Sequence, residues 1–129
     1  MKYRPKLSFA KSEKLKGTKL IDLLFSKGTA LTSYPLKLVF FSYPHDAPFP
    51  LRLGVSVSKR IFPSAVARNS MKRKLRECYR TNKYEFKTEA GTTYIAFLIY
   101  VSKDIISAPL LDLHIKSLAS KFNSHVSKK

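Results

Sequence analysis

"SVSKRIFPSAVARNSMKRKLRECYR", residues 56–80, sets eight lysines and arginines against one acid between Lys59 and Arg80, yet threads Ala65, Ala67, Met71, Leu75 and Cys78 among them. A disordered cationic arm binds polyanions without packing against anything, so it has no use for an apolar stripe. Placed about 100° apart around an axis, Ala67, Met71, Leu75, Cys78 and, at the edge, Tyr79 fall together. Asn69, Lys72, Arg73, Arg76 and Arg80 fall on the opposite side. Pro63 and Ser64 offer the helix start, with Ser64 as its cap. The stretch predicts an amphipathic helix held against a core, with a band of cations projecting from it in fixed geometry.

On the N-terminal side of this helix, "LRLGVSVSK" alternates Leu53, Val55 and Val57 with Arg52, Gly54, Ser56 and Ser58, the pattern of a strand with one aliphatic face. Its other face carries small or polar groups that something large can approach closely. Before it, "YPLKLVFFSYP" is rich in strand formers and "HDAPFP" in turn residues, so the two segments are expected to pair as a hairpin with a longish loop. Earlier still, Leu15, Leu20, Ile21, Leu24 and Phe25 recur at helical spacing, with Ser12 as cap and Lys27-Gly28 as the stop. On the C-terminal side, "TTYIAFLIYVSKDI" reads as an interior strand covered on both faces. Leu110, Leu111, Leu113, Ile115, Leu118 and Phe122 form a closing helix after Pro109.

The expected fold is α+β, a small single-domain α-β sandwich in the order α-β-β-(β)-α-β-α, the bracketed strand being a short edge strand or a split of the first. One domain covers residues 1–129, as the 129-residue length and 44% hydrophobic content suggest. Residues 1–12 read as a flexible basic arm, and residues 123–129 as a fraying tail.

A formal net charge of +17, from 25 Lys and Arg against 8 Asp and Glu, calls for a polyanionic partner. Nucleic acid leads, and an anionic membrane follows. The longest apolar stretch, Tyr94 to Val101, is far too short to cross a bilayer. One cysteine permits no internal disulfide, and the first residues hold no apolar run of signal-peptide length, so the cytoplasm is the expected compartment.

Signatures of catalysis are missing. His45, His114 and His125 have no short metal-ligand spacing with one another or with Cys78, which falls on the apolar stripe where a cysteine serves as core. The acids Glu13, Asp22, Asp46, Glu77, Glu85, Glu89, Asp104 and Asp112 are scattered, and four glycines form no phosphate loop. The cationic helix is the strong signal. Solvent-facing helices normally mix signs and gain from i,i+4 pairs, whereas here only Glu77 lies inside the block. Asn69, in the middle of the band, both donates and accepts, so it can fix an orientation that cations alone cannot.

Residues 56–77 resemble the signature of the bacterial ribonuclease P protein subunit, in which a strand ending in Ser-Lys leads through Ala-Val-x-Arg-Asn-Arg into x-Lys-Arg-x-x-Arg-Glu. Ala65, Val66, Arg68, Asn69, Lys72, Arg73, Arg76 and Glu77 match it. "LKGTKLIDLLFSKGTALTSYPLKL" is similar to the first helix and following strand of that family. The second arginine of Arg-Asn-Arg is Ser70 here, toward the margin between the two helix faces. "RIFPS" lacks the glycine often found before the motif, and Phe62 is expected to pack at the helix start instead.

The resemblance implies a noncatalytic partner of a catalytic RNA, the two together cutting the 5′ leader from precursor tRNA, with magnesium held mainly by the RNA and none by the protein alone. It implies docking on the catalytic RNA through Lys59, Arg60, Arg68, Asn69, Ser70, Lys72, Arg73, Arg76 and Arg80. It further implies a leader-binding cleft between the first helix and the sheet, made by Ile21, Phe25, Lys37, Val39 and Phe41. It also implies a left-handed βαβ crossover, against the usual right-handed preference. No DNA and no membrane partner is expected. The alternatives are a ribosomal or other structured-RNA-binding protein with no part in cleavage and, last, a helix-turn-helix DNA binder. The latter needs a short helix where "LRLGVSVSK" lies.

Overall fold

A computed structural model describes residues 18–44, 51–88 and 92–126. Their elements run α1 (Thr18–Lys27), β1 (Thr29–Ser33), β2 (Leu36–Ser42), β3 (Leu51–Val57), α2 (Ala65–Asn82), β4 (Tyr94–Tyr100) and α3 (Ala108–Val126), with a short 3-10 turn at Lys83–Glu85. The strands form one sheet in the order β1-β2-β4-β3. The expected order holds, with β1 as the bracketed short strand at the sheet edge.

Pairing differs from the expected hairpin of the second and third strands. β2 pairs antiparallel with β1 through a turn at Tyr34-Pro35, whose peptide bond is cis, and β4 lies between β2 and β3. β4 is antiparallel to β2 and parallel to β3. The reason lies in β4 itself, "YIAFLIY", which is apolar at every position. A β2-β3 hairpin would leave this strand at an edge, whereas the interior position gives it partners along both edges and cover on both faces. The parallel β3-β4 pair then needs a long crossover, and α2 supplies it.

Alternation along the strands sorts the core into two layers. Leu36, Leu38 and Phe40 of β2, Leu51 and Leu53 of β3, and Tyr94, Ala96, Leu98 and Tyr100 of β4 face α2 and α3. Met71, Leu75 and Tyr79 of α2 and Leu111, Ile115, Leu118 and Phe122 of α3 complete this layer. Phe122 stands edge-on to both Phe40 and Tyr94, with ring centroids 4.9 and 5.3 Å away. On the other sheet face α1 sets Leu24 against Val39 and Ile95, a much smaller cluster. Gly28 ends α1 because nothing larger fits: a Cβ there would lie 2.4 Å from the Leu24 carbonyl oxygen and 2.7 Å from Val39 Cγ1.

The C-terminal segment expected to fray is helical through Val126, which is buried. Asn123 accepts from Lys87 N and donates to Glu85 O, while the His125 ring meets Phe40 at 5.3 Å. These contacts hold the last turn onto the sheet. The basic arm at residues 1–12 and the Ser12 cap lie outside the described residues.

Candidate nucleic-acid interface

The start of α2 is built to be rigid. Ser64, extended at φ −73° and ψ 127°, accepts from Ala67 N at 3.2 Å, as an N-cap should. Immediately before it, Phe62 N donates to Ser58 O at 2.8 Å and Arg60 N to Ser58 Oγ at 3.1 Å, closing a tight turn. Phe62 is buried against Tyr100, as expected from its position, and anchors the far end of that turn. Lys59 and Arg60 are thereby exposed at the tip of a loop tied at both ends.

Along α2 the stripe of Met71, Leu75, Cys78 and Tyr79 is buried, and Ala67 packs beside it. Fully burying one such large side chain contributes about 1.5–3 kcal/mol, ample to hold like charges against mutual repulsion of a few tenths of a kcal/mol per close pair. Asn69, Ser70, Arg73 and Arg76 are exposed, and Lys72 is half-buried on the same side. Two of the residues expected to dock RNA are engaged within the protein. Arg68 is half-buried and donates from Nη1 to both Phe62 O and Pro63 O at 2.9 Å, which helps brace the loop carrying Lys59 and Arg60. Arg80 is paired with Glu77 at 2.6 Å, and its hydrogen bond holds the Glu77 carboxyl below the usual carboxylate range. The one acid within the block is thus matched by its own arginine, and the ridge from Asn69 to Arg76 carries its charge outward.

On the opposite sheet face, several apolar side chains beside α1 are only partly covered. Phe25 is 52% exposed and stands edge-on to Phe97 at 5.5 Å and 82°. Ile21 and Phe41 are half-buried against the small α1 cluster, and Lys37 is half-buried on the same strand face. Val39, expected to line the cleft, is instead 5% exposed beneath α1, because the helix sets Leu24 directly on it. Phe97 and Ile99 of β4 are missing from the expected set, yet both lie partly buried on this face. Register places Gly54 of β3 beside Phe97 and Ser56 beside Ile99. Gly54 and Ser56 of β3 thus leave the partly buried Phe97 and Ile99 without a bulky neighbour at those two positions of β3, and the exposed Phe25 stands over Phe97. The unbroken apolar run of β4 hid these two residues, whereas the Gly54-Ser56 alternation was the available signal for a less covered face.

A cationic ridge thus stands on one side of the sheet, and partly exposed aromatic and aliphatic side chains on the other. A family model described as Ribonuclease P matches residues 9–124. The chain belongs to the ribonuclease P protein family. Among its ribonuclease P relatives, the "Ribonuclease P protein component" of Porphyromonas gingivalis strain W83 is 40% identical over 81 residues, 62% of this chain and 58% of that protein. The protein of the same description from Syntrophus aciditrophicus is 34% identical over 91 residues, 70% of this chain and 73% of the relative. The fold is shared with the RNase P protein from Thermotoga maritima, at a TM-score of 0.69 and 21% identity over 84% of this chain and 96% of that one. The Staphylococcus aureus RNase P protein superposes at a TM-score of 0.63 and 22% identity, covering 92% of this chain and 94% of that one.

Proposed function

We propose that this chain is the protein subunit of a ribonuclease P ribonucleoprotein, docking a catalytic RNA through α2 and the Lys59-Arg60 loop and taking the 5′ leader of precursor tRNA in the α1 cleft. The observation that carries the reading is the exposed ridge of Asn69, Arg73 and Arg76, held on a buried stripe, with Glu77, the one acid on α2 itself, paired to Arg80. Fixed cations release counterions from a phosphate surface without first losing chain entropy. Ser70 and the half-buried Lys72 lie within the same footprint, Arg68 orients its loop, and Arg80 is available only by sharing with Glu77.

In the cleft, a base stacking on Phe25 or against Phe97 is held without regard to sequence, which suits an enzyme that meets many leaders. Lys37 stands on the same face for a leader phosphate. Among the described residues no three His, Cys, Asp or Glu side chains gather to hold a metal ion. The chemistry is assigned to the RNA and the magnesium it holds, and the protein contributes positioning and electrostatics in the cytoplasm. Among the described residues no helix is long and apolar enough to cross a membrane.

Reconstitution tests this. Protein added to a bacterial ribonuclease P RNA is expected to raise leader removal most at low magnesium, where phosphate repulsion is least screened. Binding to structured RNA with no rise in leader removal at any magnesium concentration would favour a ribosomal or other RNA-binding role and overturn the assignment.

A further inference from the structure

Beside the cationic ridge, α2 and the start of α3 leave an apolar groove of about 420 Å³, floored by Cys78 and Leu111 and flanked by Thr81 and Ala108. Arg73 and Lys74 stand at its mouth, and Asp112 reaches into it from α3. We propose that this groove receives one unpaired nucleobase of the docked RNA, its flanking phosphates lying on Arg73 and Lys74. This rests on the assignment of α2 as the RNA-docking helix.

Three features select a base over other occupants. The volume falls within the range of small-ligand pockets, roughly 300–1,000 Å³, and the lining is mainly apolar, as a flat heteroaromatic ring requires. The mouth is cationic, since Glu77, the acid at the rim, is already neutralised by Arg80, so a ring bearing phosphates is attracted where a neutral apolar peptide gains nothing from the charge. The third feature is the acceptor at the floor. Asp112 Oδ1 accepts from Asn82 Nδ2 at 3.0 Å and from Cys78 Sγ at 3.4 Å, which fixes the carboxylate and leaves its second oxygen able to accept from a base. A carboxylate accepts from an N–H on the base edge, the exocyclic amino group in adenine or cytosine and N1–H with the 2-amino group in guanine, so these three fit better than uracil, which offers N3–H alone. Ser70, exposed one turn before Lys74, presents too small a side chain to cover the mouth.

The test combines a footprint with two filling variants. Dimethyl sulfate reacts with unpaired adenine N1 and cytosine N3, and kethoxal with unpaired guanine N1 and N2. Wild-type protein bound to a ribonuclease P RNA is expected to protect at least one such base outside the RNA helices. Thr81→Trp and Ala108→Trp, on opposite walls and both at exposed positions, are expected to restore that reactivity and weaken RNA binding roughly ten-fold. The salt dependence should be unchanged, because no phosphate contact is lost. Far-UV circular dichroism checks that each variant folds, and the wild-type footprint needs no variant. Arg76→Ala, away from the groove, separates the two readings. If it weakens binding while both tryptophan variants keep wild-type affinity and footprint, the base pocket alone is wrong. If Arg76→Ala changes nothing, the docking helix is misassigned and the pocket falls with it. Altered sedimentation of Thr81→Trp with unchanged RNA binding would put a second copy of the chain in the groove, and would equally overturn the proposal.

Discussion

The Arg68 guanidinium donates from Nη1 to the carbonyl oxygens of Phe62 and Pro63, both at 2.9 Å, so an arginine of the cationic helix closes the loop that precedes it. Carbonyls at a turn have few other partners, and a charged donor satisfies two of them at once. Arg68→Ala is therefore expected to lower unfolding stability by about 1–2 kcal/mol, measured by urea denaturation. Arg68→Lys, which lacks the planar fork, should restore only part of this. An unchanged midpoint in Arg68→Ala would show that the loop is held without it.

Arg73 and Arg76 are exposed and donate to nothing in the loop, so their removal should leave folding within about 0.5 kcal/mol of wild type. RNA affinity should drop for each, and the slope of log affinity against log salt should fall by roughly one unit per arginine. Filter binding across a salt series checks both. A loss of affinity with an unchanged slope would mean that these side chains touch something other than phosphate.

Neighbouring positions on α1 should separate cleft from core. Leu24 is fully buried while Phe25 is half-exposed over Phe97. Leu24→Ala is expected to cost about 2–5 kcal/mol of stability. Phe25→Ala should cost far less stability but weaken binding of leader-bearing precursor tRNA by about 1–3 kcal/mol, with binding of leaderless tRNA unaffected. Equal losses with and without a leader would remove Phe25 from the cleft.

These contrasts show which parts of the molecule were readable from residue order. The α2 wheel was legible because 3.6-residue periodicity is local, and Met71, Leu75 and Cys78 had no other way to share a face. The Glu77-Arg80 pair, three residues apart on that helix, is equally local. Strand pairing was not legible, since β2 and β3 are neighbours in sequence and only the burial demand of β4 parts them. Alternation put Lys37, Val39 and Phe41 on one face correctly, but where α1 would land on that face depends on the whole sheet. That is why Val39 was expected in the cleft and is found beneath the helix. Phe97 and Ile99 stayed hidden for the related reason that a strand apolar on both faces carries no periodic mark of which side is open. The carbonyl contacts of Arg68 depend on how the Ser58–Phe62 turn folds back, and no spacing rule specifies that.

The buried thiol offers a prediction in pH. Burial, then the hydrogen bond to Asp112 and the charge of that carboxylate, push the Cys78 thiol up from 9.0 to about 12. The proton is thus held more tightly in the fold than in the unfolded chain. Stability from this source is fully present below about pH 9 and is lost as pH rises toward about 12, because the unfolded chain releases the proton first. Alkylation should follow the same logic, since only the thiolate attacks. At pH 8, iodoacetamide is expected to modify native protein very slowly and urea-unfolded protein readily. Asp112→Asn removes the negative charge while retaining an acceptor oxygen, so it should raise the native alkylation rate without exposing the thiol. Rapid labelling of native wild-type protein at pH 8 would show that the α2-α3 contact opens far more often than its packing implies.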